Sequence, residues 1–354
     1  EGETRLEFLG DIAIDQANVR DSVAVSLADG SKAIAYVETG LEYPRKNWKK
    51  WPHGFVRMAR LEGDQVVLDK LFSERAFYHS IASADINGDG LDDLVLQTMG
   101  SRGPLLSKQN HNLVVLTQTK SSKFVYQPKA IKGRHLSGGA VQLADLDGDG
   151  VAELIQGAYK KKRQGFSSMI KLFRWSGNRF ELAGEIKRSG IMGEGAGISK
   201  ISIADFDQDG THDLLVNVEG KRKGLMLLKN LGNLKFEDIS KKVLPNIPTD
   251  TKKYQWREAV VADVNQDQLP DIVMQGWAGT EHQTVNGYDL GAGVLLNQGK
   301  VFKRLSNSPS LFFKDGQRPK RFFRFIQYQG RNLFFAVGVN SEVTRFEISP
   351  RLFR

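Results

Sequence analysis

The chain has 354 residues and no cysteine; 40% of its residues are hydrophobic, and 50 lysines and arginines against 41 aspartates and glutamates give a formal net charge of +9. This length and hydrophobic content are sufficient for a large core, and the absence of any run of about 18 apolar residues excludes a membrane-spanning helix. Cysteine usage gives no indication of the redox compartment.

The first predicted elements are β-strands. Residues 5–12 contain Phe8 and have the pattern of a strand. Residues 22–37 form two apolar stretches around a turn at Asp29 and Gly30, which predicts a hairpin. This turn lacks the acidic side chains that recur further along the chain.

Four nine-residue acidic loops follow, at intervals of 60, 60 and 58 residues, and each precedes a short apolar run typical of a strand. They cover residues 85–93, 145–153, 205–213 and 263–271. Side-chain oxygens occupy positions 1, 3, 5 and 9 of every copy. A calcium ion takes roughly six to eight oxygen ligands, so the loops predict calcium sites to which position 7 adds a backbone carbonyl.

The predicted ligands share these positions in each loop. In chain order they are Asp85, Asn87, Asp89, Leu91 and Asp93; Asp145, Asp147, Asp149, Val151 and Glu153; Asp205, Asp207, Asp209, Thr211 and Asp213; and Asp263, Asn265, Asp267, Leu269 and Asp271. The fourth copy has Gln268 where the others have a glycine that permits the sharp turn. We therefore expect three to four bound Ca²⁺ ions, with the fourth loop the least occupied.

The acidic loops are not EF-hands, whose loop needs a glutamate at position 12 and a helix on each side. Position 12 is occupied by Leu96, Gln156, Val216 and Met274. The flanking segments are short and β-type, so each loop is predicted to join two strands of a hairpin. Asp-Gly turns are common in hairpins, but four copies in register favour a metal function over chance.

The last predicted elements are a hairpin over residues 323–337 and a strand over residues 343–348, both without acidic ligands. A strand with an aromatic or β-branched residue also precedes each hairpin and is assigned as the outer, fourth strand of a sheet. These outer strands contain Phe8, Val66, Phe124, Phe180, Phe236 and Phe302.

A repeat near 60 residues that contains four strands predicts an all-β fold, a β-propeller of four-stranded blades. Six blades of about 59 residues account for the whole chain as one domain, residues 1–354. The calcium-loop blades lie around residues 78–300, and degenerate metal-free blades lie at both ends. Pairing of residues 5–12 with residues 343–348 would close the ring and remove the open edge.

The loops and the strands after them resemble the FG-GAP or VCBS repeat family, the calcium-binding propellers that include the head of integrin α chains and many bacterial surface proteins. Residues 227–236 and 294–302 are similar to the family's Asn-x-Gly hairpin between third and fourth strands. The resemblance implies a propeller with calcium held at positions 1, 3, 5, 7 and 9. Members more often have seven blades, which is the alternative to six. The fold hosts adhesins, lectins, lyases and assembly scaffolds, so the resemblance implies no single function.

The charge is unevenly distributed. Fifteen of the 41 acidic residues lie in the four loops, and four bound Ca²⁺ ions would raise the formal charge from +9 to about +17. Basic runs fall in second-to-third strand connections, which lie on the propeller face opposite the calcium loops, and aromatic residues alternate with them. The predicted ligand-binding residues are Trp48, Trp51, Lys160, Lys161, Arg163, Lys221, Arg222, Trp277 and Tyr288.

Cations and aromatic rings together favour a non-catalytic binding or adhesion module for an acidic polysaccharide, another anionic glycan or an acidic protein. A polysaccharide lyase on the same face is the enzymatic alternative, and a protein-assembly scaffold is a further one. The lyase candidates are His53, His111, His135, His282, Tyr159, Tyr254 and Tyr288. Nucleic acid is not an expected partner, because no nucleic-acid-binding motif accompanies the charge.

We expect an extracytoplasmic protein that is secreted, periplasmic or at the cell surface, because carboxylate-rich calcium sites load readily where calcium is millimolar. The sequence begins at Glu1 without methionine, from which we expect that a signal peptide has been removed.

Overall fold

The computed structural model describes the backbone of most of the chain. The described residues are 19–39, 53–63, 65–102, 105–106, 111–133, 136–161, 166–187, 190–220, 224–245, 254–278, 284–285, 288–289, 292–304, 322–328, 331–337 and 343–348. Their regular structure consists mainly of strands β1 to β24, together with the short helix α1 (Ser240–Val243) and a helical turn at residues 105–106. Alternating or continuous apolar patterns with β-branched residues account for the predominance of strands.

The first sheet has seven antiparallel strands in sequence order. They are β1 (Val19–Ser26), β2 (Lys32–Glu38), β3 (Gly54–Glu62), β4 (Gln65–Ala84), β5 (Asp93–Arg102), β6 (Leu113–Gln118) and β7 (Phe124–Tyr126). Strand β4 belongs to two repeats, because its residues up to Ala76 pair with β3 whereas those from Ala76 onward pair with β5. The sheet is therefore two four-stranded repeats joined through one long strand. The sequence analysis predicted separate four-stranded blades here, since the two halves of β4 read as separate strands.

Three further sheets each have four antiparallel strands. The first contains β8 (Ser137–Ala144), β9 (Glu153–Lys161), β10 (Phe166–Trp175) and β11 (Phe180–Ile186). The second contains β12 (Ala196–Ala204), β13 (Asp213–Gly220), β14 (Gly224–Asn230) and β15 (Phe236–Asp238). The third contains β16 (Tyr254–Ala262), β17 (Asp271–Ala278), β20 (Ala292–Asn297) and β21 (Phe302–Arg304).

The remaining strands form two smaller sheets. Strands β18 (Thr284–Val285) and β19 (Tyr288–Asp289) pair with each other, and β22 (Phe322–Tyr328), β23 (Arg331–Val337) and β24 (Val343–Ile348) form a three-stranded antiparallel sheet. These last strands confirm the predicted hairpin over residues 323–337 and the strand after it. Strands β1 and β2 confirm the predicted hairpin over residues 22–37.

Five of the six predicted outer strands lie where the sequence placed them. Val66 pairs with β3 at the outer side of the first repeat, and the short strands β7, β11, β15 and β21 begin at the predicted phenylalanines. The sixth, at Phe8 in residues 5–12, lies outside the described residues. The described fold is thus all-β and built of four-stranded antiparallel repeats, as the 60-residue period predicts.

The chain divides into two compact units, one of residues 1–143 with 174–181 and the other of residues 144–173 with 182–354. The core of the first unit contains Val37, Val56, Tyr78 and Leu94, all fully buried. In the core of the second, the rings of Phe206 and Phe302 pack edge to face with their centroids 5.9 Å apart. Burial of each such side chain stabilises the fold by about 1.5 to 3 kcal/mol.

No helix among the described residues combines the length and the hydropathy that a membrane span requires.

Candidate metal centres

Each acidic loop joins the first and second strands of one repeat. The loops connect β4 to β5, β8 to β9, β12 to β13 and β16 to β17. The register pairs the residue before each of three loops with position 9, as in Ala84 with Asp93, Ala204 with Asp213 and Ala262 with Asp271. The structure therefore confirms hairpin loops without flanking helices, as the β-type flanks predict.

The apolar residue at position 2 anchors every loop to the sheet beneath it. Ile86, Leu146, Phe206 and Val264 are all buried. Because position 2 faces the core, its neighbours at positions 1 and 3 face outward, and the carboxylates gather on the solvent side of the turn. The alternation of apolar and acidic residues in the sequence therefore determines which side chains of the loop face the core and which face solvent.

The aspartate at position 1 shapes the turn in the same way in all four copies. One of its carboxylate oxygens accepts the backbone N–H of position 6, at 2.7 Å from Gly90, 2.9 Å from Gly150, 2.8 Å from Gly210 and 2.8 Å from Gln268. In the first loop the other oxygen of Asp85 accepts the N–H of Gly88 at 2.8 Å. Hydrogen bonds to a charged acceptor of this kind fold the backbone around it.

Position 6 takes a left-handed conformation in every loop, with φ of 82° at Gly90 and 70° at Gln268. Only glycine adopts this region without steric cost, so the strain predicted for Gln268 is present. Position 4 is also left-handed, and here glutamine recurs, with φ of 56° at Gln208 and 62° at Gln266. The fourth loop therefore holds two strained glutamines where the first holds two glycines.

The aspartate at position 5 keeps one oxygen for the turn. It accepts the N–H of position 7 at 3.0 Å in the first loop and 2.9 Å in the fourth, from Leu91 and Leu269. In those two loops its second oxygen accepts the side-chain amide of position 3, at 3.1 Å from Asn87 and 2.8 Å from Asn265.

The carboxylate at position 9 is buried in every copy: Asp93, Glu153, Asp213 and Asp271 are at most 2% exposed. In three copies it ties the loop to the third strand, because one oxygen accepts the N–H of Gln118 at 2.8 Å, Asn230 at 2.8 Å or Asn297 at 2.7 Å. The other oxygen of Asp93 is buried and receives no hydrogen bond of normal geometry from the described part of the chain.

Burial, with smaller contributions from the nearby carboxylates Asp89 and Asp85, raises the pKa of Asp93 to about 7. The pKa values of Asp213 and Asp271 are raised to about 6 by the same causes, burial first and the neighbouring aspartates next. A buried carboxylate among other carboxylates is costly to ionise unless a cation lies beside it.

Two loops bring three carboxylates together closely enough to hold one ion. Ligand oxygens of Asp145, Asp147 and Glu153 lie within 4.8 Å of one another, and so do those of Asp205, Asp207 and Asp213. Together with the buried oxygen of Asp93 that receives no hydrogen bond of normal geometry, these clusters fit a hard cation bound by oxygen ligands. The backbone carbonyls of Leu91, Val151, Thr211 and Leu269 remain predicted ligands.

A lysine from the third strand of the same repeat places a positive charge beside the third loop. The Lys229 ammonium forms an ion pair with Asp207 and a second one with Asp209, whose Oδ2 lies 2.9 Å from Nζ. These hydrogen bonds raise the pKa of Lys229. The pKa of Asp209 falls to about 2, because the Thr211 hydroxyl and Lys229 both donate to it. Lys229 lies on β14, 22 residues from Asp207, and the sequence analysis did not include it in the site.

Sequence reasoning also missed a side-chain amide that links three of the four loops, the first, third and fourth, to a preceding repeat. The Gln118 amide donates to the Ser26 carbonyl at 3.0 Å, the Asn230 amide to Leu146 at 2.7 Å, and the Asn297 amide to Phe206 at 2.8 Å. Their backbone N–H groups are the ones that bind position 9. For Asn230 and Asn297 the signal was the Asn-x-Gly pattern at the end of the third strand, which was assigned only to a turn, whereas Gln118 belongs to no such pattern.

The predicted ligand-binding residues are described only in part. Lys160 is exposed at the end of β9. Lys161, Trp277 and Tyr288 lie in β9, β17 and β19, where only the backbone is described. Trp48, Trp51, Arg163, Lys221 and Arg222 lie outside the described residues.

The described lyase candidates make structural contacts. His111 Nδ1 lies 2.5 Å from the Tyr126 hydroxyl, and the Tyr159 hydroxyl donates to the Ile198 carbonyl at 2.9 Å. His53 is half-buried, and burial lowers its pKa with a smaller contribution from Arg75. His135 and His282 lie outside the described residues, and only the backbones of Tyr254 and Tyr288 are described.

Comparison with known proteins supports a propeller-like fold with an FG-GAP repeat. Residues 77–103, which include the first acidic loop, match the FG-GAP repeat family. No curated protein sequence matches the chain. A mutant lectin of Aleuria aurantia in complex with Fucα1-6GlcNAc is similar in structure, with 11% identity and a TM-score of 0.51 over 96% of this chain and 93% of that chain. An ancestral GH74 enzyme has 10% identity and a TM-score of 0.52 over 95% of this chain and 42% of its own. Both neighbours are propeller-like, and at this identity the likeness concerns the fold alone.

Proposed function

We propose that this chain, which carries an FG-GAP repeat at residues 77–103 within a propeller-like all-β fold, is a calcium-stabilised binding module without catalytic activity. Its ligand is an anionic glycan, such as an acidic polysaccharide, or an acidic protein. Calcium in the four loops has a structural role, because it neutralises carboxylates that fold the loops and tie them to the third strands.

The observation that supports an anionic ligand is the position of the basic connections relative to the acidic loops. In the sheet of β12 to β15, Ala204 pairs with Asp213 at the loop end, whereas Ala196 pairs with Gly220 at the other. The connection from β13 to β14, with Lys221 and Arg222, therefore leaves the sheet at the end opposite the loop. The connection after β9, which follows exposed Lys160, has the same relation to the second loop.

Separation of charge makes such a surface attractive to anions. Fifteen carboxylates are concentrated at the loop ends, where calcium would offset them, and the basic connections lie at the opposite ends of the strands. Aromatic residues near the basic runs, Trp48 and Trp51 in the sequence around Arg45 to Lys50 and Trp277 near the end of β17, would pack on sugar rings. An extracytoplasmic location would supply the millimolar calcium that such sites need.

We further propose one domain of six blades, with residues 5–12 paired to β24 in the blade that closes the ring. Because the chain has no cysteine, pairs of cysteines introduced in residues 5–12 and 343–348 offer a clean test. Cross-linking of some pairs under mild oxidation is the expected result. A panel in which no pair cross-links would favour an open or seven-bladed arrangement.

The deciding experiment is a glycan-array screen in millimolar calcium, with acidic and neutral saccharides side by side and with absorbance monitored for unsaturated uronate products. Binding to acidic glycans without new absorbance supports the proposal. Growing absorbance would place the lyase first, and failure to bind any acidic glycan or acidic protein would overturn the proposed ligand class.

The matched variant replaces Trp48, Trp51 and Trp277 together by alanine. We expect a folded protein that has lost its affinity for the acidic ligand, because the aromatic platform is removed while the calcium loops are intact. Unchanged binding by the folded triple variant would show that the ligand binds elsewhere.

A further inference from the structure

A second surface with ligand-binding chemistry lies beside the first acidic loop, at the end of the strands opposite the basic connections. It is an open cavity of about 440 Å³ within the first compact unit, a size in the range of small-molecule sites. It is formed between the third-to-fourth strand segments of two successive repeats. The lining residues are Asn87, Thr117, Gln127, Pro128, Lys129, Ala130, Trp175, Gly177 and Asn178.

Trp175 supplies the aromatic surface of this cavity. Its indole is half-buried and packs edge to face on fully buried Phe180, with ring centroids 5.1 Å apart and an interplanar angle of 72°. The contact holds the indole in one place while part of its surface borders the cavity. A fixed aromatic ring with both apolar and polar surroundings suits a ligand that has apolar and polar edges of its own.

The polar side chains around Trp175 are amides and a hydroxyl. The Gln127 amide donates to the Thr117 hydroxyl at 2.8 Å, which leaves the Gln127 carbonyl oxygen and the Thr117 hydroxyl hydrogen for another partner. Asn178 is exposed, and its amide offers both a donor and an acceptor. Groups that donate and accept side by side match a ligand rich in hydroxyls.

The charge of the lining distinguishes among ligand classes. Lys129 is the single ionisable residue among the nine that line the cavity. A phosphate or polyanion site would have several cations converging on it, and a lipid site would be more apolar and more enclosed. A neutral sugar ring, with hydroxyls at its edge and C–H groups on its faces, fits this composition best.

Both walls are held by backbone hydrogen bonds, so the cavity is formed before a ligand arrives. The Phe180 N–H donates to the Ala130 carbonyl at 2.7 Å, and the Lys132 N–H donates to the Phe180 carbonyl at 2.9 Å. The turn that carries Gly177 and Asn178 is closed by the Ser176 N–H, 2.8 Å from the Arg179 carbonyl. A preformed site loses less conformational entropy on binding.

We propose that this cavity is a binding site for a neutral saccharide, with Trp175 as the stacking residue and with Asn178, Gln127 and Thr117 as its hydrogen-bonding groups. The site is distinct from the basic connections of the proposed function and stands independently of them. Asn87 belongs both to this lining and to the first calcium loop, so the two are physically connected.

The test is titration of the calcium-loaded full chain with a panel of neutral oligosaccharides of glucose, galactose, mannose and fucose, followed by tryptophan fluorescence and calorimetry. For whichever saccharide of the panel binds, Trp175→Ala should raise the Kd by more than roughly tenfold, a typical loss for an aromatic anchor. Asn178→Ala, in an exposed turn where no fold contact is lost, should weaken it by a few fold, about the effect of one hydrogen bond.

The tryptophan variant removes a contact to Phe180, so circular dichroism and melting temperature must first show that it is folded. If it is not, Asn178→Ala and Gln127→Ala together decide the matter. The variant lacking Trp48, Trp51 and Trp277 is the matched control: it should keep neutral-saccharide binding and lose acidic ligands, whereas Trp175→Ala should do the reverse. Absence of neutral-saccharide binding at millimolar concentration, or binding unaffected by the cavity variants, would overturn the proposal.

Discussion

The first and third acidic loops have the same backbone hydrogen bonds at position 1 and the same buried aspartate at position 9, yet their carboxylates face different neighbours. In the first loop, position 5 is bonded to the neutral amide of Asn87, and one oxygen of Asp93 is buried without a normal hydrogen bond. In the third, the Lys229 ammonium pairs with Asp207 and Asp209.

The register explains the difference. Leu116 pairs with Leu94 in the repeat of the first acidic loop and Leu228 pairs with Leu214 in the repeat of the third, so Thr117 and Lys229 hold equivalent places on the third strand. Thr117 is neutral and accepts a hydrogen bond from Gln127. In the third loop, by contrast, the chain itself supplies a cation to the carboxylates, the Lys229 ammonium. If the loops bind calcium as proposed, we expect their order of affinity to depend on this third-strand residue as well as on the loop.

Removal of calcium should give the largest effect, and it should affect the first loop more than the third, whose carboxylates keep the Lys229 ammonium. We expect an excess of chelator to lower the melting temperature strongly. Each site loaded at roughly 1,000 times its Kd contributes about 4 kcal/mol to the free energy of unfolding. The measurement is thermal unfolding in chelator and in millimolar calcium. Identical melting temperatures would show that the loops hold no structural calcium.

The next largest effect should come from exchanging the residues Thr117 and Lys229 on the third strands, which should reverse the difference in calcium affinity between the first and third loops. Lys229→Thr should raise the calcium affinity of the third loop about tenfold, because the ion no longer competes with the two charge-assisted hydrogen bonds of Lys229. Each such bond contributes about 1.5 to 3 kcal/mol, and solvation of the freed carboxylates offsets part of this difference. Thr117→Lys should lower the affinity of the first loop by a similar factor. Calorimetric titration measures both.

Two further variants make that exchange interpretable. Asp205→Asn identifies which binding step belongs to the third loop. Lys235→Thr, which removes an exposed lysine from the adjacent hairpin, repeats the change of net charge without touching the loop carboxylates. The idea fails if Lys229→Thr and Lys235→Thr have the same isotherm.

A smaller effect should be visible as a pH dependence in chelator. The folded-state pKa values of Asp93, Asp213 and Asp271, about 7, 6 and 6, lie above the ordinary value of 3.8, so the folded protein binds more protons than the unfolded chain between these values. The free energy of unfolding should therefore rise as pH falls from about 8 to about 5.

Asp93→Asn isolates the contribution of the first loop to that dependence. The asparagine can still accept the Gln118 N–H, and the part of the pH slope nearest pH 7 should disappear. Chemical denaturation of both proteins at several pH values measures it. A slope that is the same in wild type and variant would mean that Asp93 does not carry the raised pKa.

The smallest expected effect concerns backbone strain in the fourth loop. Gln268→Gly should stabilise the protein by about 1 kcal/mol, because glycine accepts the positive φ without a steric clash. Gly90→Gln, at the equivalent place in the first loop, should destabilise by about the same amount. Urea denaturation in chelator compares the two, and a destabilising Gln268→Gly would show that the glutamine side chain contributes contacts that outweigh the strain.

Much of the architecture could be predicted from local patterns. The hairpins, the outer strands and the position of each acidic loop between first and second strands depend on residues close together in sequence, repeated at a constant interval. The fusion of two repeats through β4 could not be predicted in this way. A strand that changes partner at Ala76 has the same local pattern as two strands.

The sequence by itself determined the type of fold, the composition of the four acidic loops and the strain at Gln268, because turn geometry and the choice of oxygen-bearing side chains are encoded within nine residues. Only the tertiary structure decided which other residues reach the loops. Lys229 lies 22 residues from Asp207, the Asn297 amide bonds a carbonyl 91 residues away, and the Trp175 cavity joins segments of two repeats. Such contacts depend on strand register and on the packing of one repeat on the next, which no local pattern specifies.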